Sequence, residues 1–240
     1  MIESNNFSLV IPIYNESINI KNLISEIIDI EYNCKYEILI VNDGGSDNIN
    51  ISDYKIIDEI FSIKILNHNS NFGQSAAIRT GALKSKYDTI ITMDGDGQND
   101  PKDILNLLNI FVANDKVNLV QGIRNSRKDN FSKIIGSFIA NSVRTLVLKD
   151  NCRDSGCALR VFNKDDYLKI VYFDHMHRYL PYLFLQENLN VKFENVTHRK
   201  RMYGKSNYSN IRRLFSGLYD LFGVIWLMKR KYKVKLKKIL

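Results

Sequence analysis

Thr89-Ile90-Ile91-Thr92-Met93-Asp94-Gly95-Asp96-Gly97-Gln98 decides the reading of this chain. A short apolar run, rich in β-branched residues, ends in two carboxylates one residue apart. Such runs form buried strands, and open α/β sheets bind ligands beyond their strand ends. Paired carboxylates there suit a hard divalent cation, because Mg2+ and Mn2+ prefer oxygen donors and complete their shells with substrate phosphates. Asp-Gly also serves plain solvated turns, so the surrounding sequence has to decide.

Working outward, apolar runs at 7–13, 36–41, 63–66 and 118–120 join 89–93 as expected strands. Between the first two, Ile20, Leu23, Ile24, Ile27 and Ile28 recur at the spacing of a buried helical face. Helices are also expected near 73–85 and near 102–113, the latter with Pro101 at its start. This βαβα alternation predicts an α/β fold with a mainly parallel sheet flanked by helices. Beyond residue 125 the pattern changes. It predicts a helix over 131–148, a loop carrying Asp154-Ser155-Gly156, a strand over 158–162, a helix near 176–188 and a strand near 191–197. No internal repeat interrupts this order, so residues 1–200 read as one catalytic-type domain and 201–240 as an extension.

At 240 residues the chain can bury one good core. Its net charge of +8 is unevenly spread: residues 229–240 hold seven Lys or Arg and no acid, and the other 228 residues carry +1. Residues 198–213 hold six further cations, and between the two basic segments lies an apolar stretch, 214–228, with Phe215, Tyr219, Phe222 and Trp226. Basic flanks around an aromatic-rich apolar helix predict a basic amphipathic helix lying in a membrane interface, drawn to anionic lipid. Nucleic-acid binding accounts for the charge but not for the apolar segment, and is not expected. A helix that completes the core or a homo-oligomer interface is the remaining option. No run reaches the roughly 18 apolar residues of a membrane span, and residues 1–6 are polar rather than leader-like. The expectation is peripheral or monotopic attachment at the cytoplasmic face. Cys34, Cys152 and Cys157 are odd in number and lack zinc spacing, which points to reduced thiols. His175, His177 and His198 fit no defined metal site.

Four loops that follow strands carry polar groups a simple fold does not need. They are Pro12-Ile13-Tyr14-Asn15-Glu16, Asn42-Asp43-Gly44-Gly45-Ser46-Asp47, the Asn69 to Gly73 segment, and the Asp94/Asp96 pair. In a parallel sheet all four emerge at one edge, so these groups converge. Tyr14 offers a ring face for stacking a base, and Asp43 an acceptor for an imide or amino group.

The motifs IPIYNE (11–16), IVNDGGSDN (40–48), NSNFGQSAAIRTG (69–81), MDGDGQNDP (93–101), VQGIR (120–124), DSGCALRVF (154–162) and HRKRMYGKSNY (198–208) occur in this order. In that order the chain resembles the GT-A-fold glycosyltransferases of family 2, most closely their polyprenyl-phosphate branch, over about residues 7–228. The resemblance implies that Pro12, Tyr14, Glu16 and Asp43, with Asp94 and Gln98, hold a UDP- or GDP-linked sugar. It implies that Asp94 and Asp96 are catalytic and, with Gln98, bind Mg2+ or Mn2+. It also implies that Arg124, Lys133, Ser137 and Arg201 bind the phosphate of a polyprenyl phosphate acceptor. Gly45 stands where the family usually has Ser, Gln74 where Lys is frequent, and Lys133 where Arg is frequent. The implied activity is inverting transfer of a sugar onto the lipid phosphate, which is anionic and needs no general base. Were the acceptor instead a hydroxyl of an envelope glycan or glycolipid, a base would be required. Asp154 is then the catalytic candidate, with capping of the Ser155-Gly156 turn as its alternative role. A non-catalytic nucleotide-sugar-binding or membrane scaffold protein is the reading from another class.

Overall fold

The computed structural model describes residues 6–47, 49, 60–124, 144–200 and 210–230. Seven strands form one sheet in the order β3-β2-β1-β4-β6-β5-β7. They are β1 (Phe7–Ile13), β2 (Tyr36–Asn42), β3 (Phe61–Asn67), β4 (Thr89–Thr92), β5 (Val117–Arg124), β6 (Arg160–Asn163) and β7 (Asn190–Val196). β1 is parallel to both β2 and β4, β2 to β3, and β5 to β7. Only β6 runs against its neighbours. The mainly parallel α/β sheet expected from the sequence is present, with one reversed strand that the apolar run at 158–162 did not announce. Helix forms at residues 144–148; the rest of the helix expected over 131–148 lies outside the described residues. The helix expected near 176–188 begins as a 3-10 turn, Met176–Tyr179, and continues as Leu180–Gln186.

The inner strands are buried on both faces, as continuous apolar runs of parallel strands demand. On one face, helices α1 (Ser17–Ile28) and α3 (Asp103–Val112) contribute Ile20, Leu23, Ile24, Ile27, Ile104, Leu107 and Leu108 to the core. On the other face lie α2 (Gln74–Lys84), the helix Leu180–Gln186, and the helix Asn210–Lys229 through Leu221 and Val224. The register pairs Ile13 with Asn42 and Val10 with Thr92. Asp43 and Asp94 therefore follow strand ends at the same edge of the sheet.

α2 lies so close to β1 that a Cβ on Gly81 would stand 2.3 Å from Val10 Cγ1. Overpacking of this kind costs about 1–3 kcal/mol, against about 1 kcal/mol gained in helix propensity. Gly81→Ala is expected to lower the urea midpoint. Val10→Ala should make room for the added methyl, so the double variant should lose less than the two single losses together.

Candidate active site

The four polar loops are tied to one another in sequence order. Asn15, at a left-handed φ of 58°, donates its backbone N–H to Asp47 Oδ2 (2.6 Å), and Ser46 N donates to Asn15 Oδ1 (2.9 Å), joining the loops after β1 and β2. Asp43, buried at the end of β2, accepts from His68 Nδ1 (2.7 Å), Phe72 N (2.9 Å) and Gly73 N (2.8 Å), joining the loops after β2 and β3. Gly44 and Gly73 both have positive φ, 73° and 90°. A Cβ on Gly44 would fall 2.3 Å from the Ser70 carbonyl carbon, so the two loops approach at a distance only glycine allows. Gln74 Nε2 then donates to Asp94 Oδ1 (2.6 Å), joining α2 to the loop after β4. The convergence expected from the sequence is thus a continuous set of hydrogen bonds.

Of the residues implied for the nucleotide, Tyr14 is exposed and Pro12 half-buried at this edge. Glu16 sits at the N-terminal end of α1 and accepts from Asn19 Nδ2 (2.6 Å). Both Asp43 oxygens hold the β3–α2 loop, and through it they fix the exposed Phe72 ring.

Asp94 is the most perturbed acid of the site. Burial, and then the charge of Asp96, push it from 3.8 up to about 7, against Arg160, Arg124 and the Gln74 amide. Two carboxylates this close oppose each other's ionisation, which a cation between them would relieve. Gln98 N donates to Asp96 Oδ1 (3.1 Å), and the Gln98 amide nitrogen lies near His198 Nε2 (3.4 Å) and Arg199 O (3.5 Å). Two carboxylates and an amide oxygen form a hard donor set that fits Mg2+ or Mn2+.

The segment carrying His198 and Arg199 is clamped to this loop. Arg199 N donates to Gln98 O (2.8 Å), Asn99 bridges His198, and the Arg199 guanidinium pairs with Asp100 (2.7 Å) and Glu26 (2.5 Å). Lys200 borders a cavity of about 160 Å3 together with Asp96 and Gly97. Lys133, Ser137 and Arg201 lie outside the described residues.

Arg124 and Asp154, singled out separately in the sequence, face each other. Arg124 Nε and Nη2 donate to Asp154 Oδ2 and Oδ1, both at 2.7 Å, and Arg124 N reaches Oδ2 at 3.2 Å. Burial opposes the Arg124 charge, yet the Asp154 carboxylate holds it above the ordinary arginine range. Sequence reasoning missed Arg160, 1% exposed on β6. Its guanidinium is held by neutral acceptors, Gln121 Oε1 (2.6 Å) and Ser155 O (3.2 Å). Burial works against its charge, while Cys157, Cys152, Asp94 and Asp154 favour it. A cation inside an otherwise apolar strand sequence, Ala158 to Phe162, was the signal available. The pairing of Gln74 with Asp94 was also missed, though Gln74 had stood out as a departure.

Residues 8–171 match the family described as glycosyl transferase family 2. Dodecaprenyl-phosphate galacturonate synthase of Rhizobium johnstonii is 30% identical over 236 residues, covering 96% of this chain and 69% of that protein. Undecaprenyl-phosphate 4-deoxy-4-formamido-L-arabinose transferase of Proteus mirabilis is 30% identical over 231 residues, covering 90% of this chain and 67% of that protein. Among solved structures, glucosyl-3-phosphoglycerate synthase of Mycobacterium tuberculosis, in complex with Mn2+, UDP and glucosyl-3-phosphoglycerate, superposes with a TM-score of 0.70. The identity is 12%, over 91% of this chain and 80% of that one, a likeness of fold alone. The chain belongs to glycosyl transferase family 2. It is a glycosyltransferase with a GT-A-like fold.

Because Asp94 keeps a proton in the folded chain up to about pH 7 and loses it near 4 when unfolded, the metal-free protein loses stability as pH rises between those values. A cation bound at this pair would displace that proton and bind more tightly as pH rises. The gain in Tm on adding Mn2+ should therefore be larger at about pH 8 than at about pH 5. In Asp94→Asn, both the pH slope of metal-free stability and the Mn2+ gain should shrink, as scanning fluorimetry would show.

Proposed function

We propose that the protein transfers one sugar, with inversion, from a UDP- or GDP-linked donor to a polyprenyl phosphate at the cytoplasmic face of the membrane. The observation that carries this reading is the Arg124–Asp154 pair. Both oxygens of Asp154 are taken by the guanidinium of Arg124, so a hydroxyl acceptor would have to displace that fork to reach the carboxylate. A phosphate acceptor asks for no base. It asks for positioning and for cations, and Asp154 aims one of them, Arg124, from the end of β5. The names of the relatives, two prenyl-phosphate sugar transferases, support the same acceptor class.

In this proposal Pro12, Tyr14, Glu16 and Asp43 hold the nucleotide, Asp43 by fixing the loop that carries Phe72. Asp94, Asp96 and Gln98 would hold Mg2+ or Mn2+, which neutralises the diphosphate as the leaving group gains charge. Gln74 fixes the Asp94 carboxylate, and the buried Arg160 favours its charged form. Arg124, Lys133, Ser137 and Arg201 form the acceptor phosphate set.

The membrane part of the proposal takes a definite face. Leu221 and Val224 of the helix Asn210–Lys229 are in the core, Asp220 accepts from His175 Nδ1 (2.7 Å), and Tyr179 donates to Gly217 O (3.3 Å). Tyr219, Phe222 and Trp226, respectively 82%, 71% and 59% exposed, are left outward, with Arg230 5.2 Å from the Trp226 ring centre. No helix among the described residues is long and apolar enough to cross a membrane. We assign residues 1–200 to the chemistry and 201–240 to membrane association, with the inner face of this helix packed on the core.

Radiolabelled donors incubated with extracted membrane lipid provide the test. A charged lipid product labile to mild acid is expected, and label in a stable glycoside or polymer would instead establish a hydroxyl acceptor. Donor binding without turnover would point to a non-catalytic protein. Asp96→Asn should cut turnover at least about a hundredfold, the loss of one strong transition-state stabiliser, with folding retained.

Replacing Tyr219, Phe222 and Trp226 together by serine should release the protein from anionic liposomes in cosedimentation. Activity on lipid acceptor should fall more than donor binding does. Unchanged sedimentation would sink the membrane assignment, and a loss of oligomers on size exclusion would give the face to a second copy of the chain.

A further inference from the structure

The first turn of α2 is gripped from two sides. On one side Asp43 accepts from Gly73 N, and Gln74 Nε2 reaches Asp94 Oδ1. On the other lies the segment from Asp174 to Tyr179: a Cβ on Gly73 would stand 3.1 Å from Asp174 Oδ1. Ser75 is fully buried, and its hydroxyl oxygen is matched to one residue 102 positions away. It accepts from His177 N (3.2 Å) and shares a hydrogen bond with His177 Nδ1 (2.8 Å). Consecutive helical residues point about 100° apart, so the bonds of Gln74 and Ser75 fix the rotation of α2. A turn of the helix that broke the Ser75 contact would draw Gln74 away from Asp94. Burial, and then the charges of Arg178, Arg160 and His175, keep the His177 pKa well below the usual imidazole value. The ring is therefore neutral at neutral pH, and the contact does not depend on a proton gained or lost there.

The segment that carries His177 is itself anchored to the helix Asn210–Lys229. His175 donates its backbone N–H to Asp174 Oδ1 (2.7 Å) and its Nδ1 to Asp220 Oδ2 (2.7 Å). Tyr179 donates to Gly217 O (3.3 Å). His175 is held at a left-handed φ of 63°, which costs energy in a residue other than glycine. Its bonds to Asp174 and Asp220 offset that cost, and the Asp220 side chain, 15% exposed, is largely shielded from competing water. Three successive side-chain hydrogen bonds therefore lead from the helix to the acid pair: Asp220 to His175, His177 to Ser75, and Gln74 to Asp94.

We infer that Ser75 and His177 are positioning residues for the Asp94 carboxylate, and that the helix Asn210–Lys229 holds them in place through Asp220 and His175. The inference rests on the reading of Asp94 and Asp96 as metal ligands. It gives the helix a task besides membrane association, because its inner face braces the metal side of the site. Neither Ser75 nor His177 touches the metal or the donor here; both act through Gln74.

Mn2+ binding to the full-length protein, with UDP or GDP present, tests it without turnover. Binding is read from the free-ion EPR signal and counted as the part that Asp96→Asn abolishes. His177→Leu should weaken it about tenfold, the lower range for groups that orient a metal ligand. His177→Asn should restore most of the loss, since its amide can donate or accept where Nδ1 stood. In a Gln74→Leu background His177→Leu should cost nothing more, because the contact it removes acts through Gln74. No loss in the native background, or the full tenfold loss in both, overturns the inference and leaves the metal reading standing. A wild-type protein without Asp96-dependent Mn2+ binding overturns the metal reading and the inference with it. Hydrogen exchange on the metal-free protein tests the link to the helix. Asp220→Ala should speed exchange of the bonded amides of Phe72, Gly73, Ala76 and Ala77 at least about threefold. Unchanged exchange at these amides, or acceleration spread evenly over the chain, would overturn the role given to the helix.

Discussion

The Asp43 carboxylate is the constraint on which the site depends. It lies buried at the end of β2 and is stabilised by three donors from one neighbouring segment, two of them backbone amides. A buried carboxylate left unpaired is expensive, so the segment from His68 to Gly73 has one favourable position. That position sets the N-terminal end of α2, and the first residue of α2, Gln74, is the one that reaches Asp94. The placement of the Asp94 carboxylate is thus inherited, through two hydrogen-bonded steps, from a residue on a different strand. Gly81 closes the arrangement from the far side of α2 by letting the helix lie against Val10 of β1.

The layout of the fold was legible because burial on two faces writes itself into sequence as continuous apolar runs, and burial on one helical face as a 3.6-residue period. The strand ends were equally legible, since polar residues directly after an apolar run mark where a chain leaves the core. The direction of β6 was not, because an apolar run carries no orientation. Pairings were not legible either. Arg124 and Asp154 each looked functional alone, one as a phosphate ligand and one as a possible base, and only the fold joins them over 30 positions. Gln74 showed itself as a departure from a pattern and nothing more, because a hydrogen bond to Asp94 is a property of distance. Arg160 was visible only as one cation in the apolar run of Ala158, Leu159, Val161 and Phe162, and such a run does not say which groups the cation faces.

The tail shows the same boundary between composition and geometry. Alternating basic and apolar segments identify an amphipathic helix, but they do not say which face the protein uses. The His175–Asp220 bond and the packing of Leu221 and Val224 assign one face to the core. The aromatic residues at 219, 222 and 226 fall at helical spacings of three and four, on the side left over. This 20-residue helix therefore has one face in the core, where substitutions at 221 or 224 act on stability, and an opposite aromatic face at 219, 222 and 226 that the core does not use.

Charge orders the remaining space. Asp94 and Asp96 form the negative end, Arg160 is buried within electrostatic reach of Asp94, and the Arg124–Asp154 pair stands at the end of β5. In the proposed reaction a donor diphosphate would bring negative charge to the first end, where a divalent cation would balance it. An acceptor phosphate would come to the second end, where Asp154 already pairs with one guanidinium. The pair Arg124–Asp154 is therefore a directing element more than a source of net positive charge.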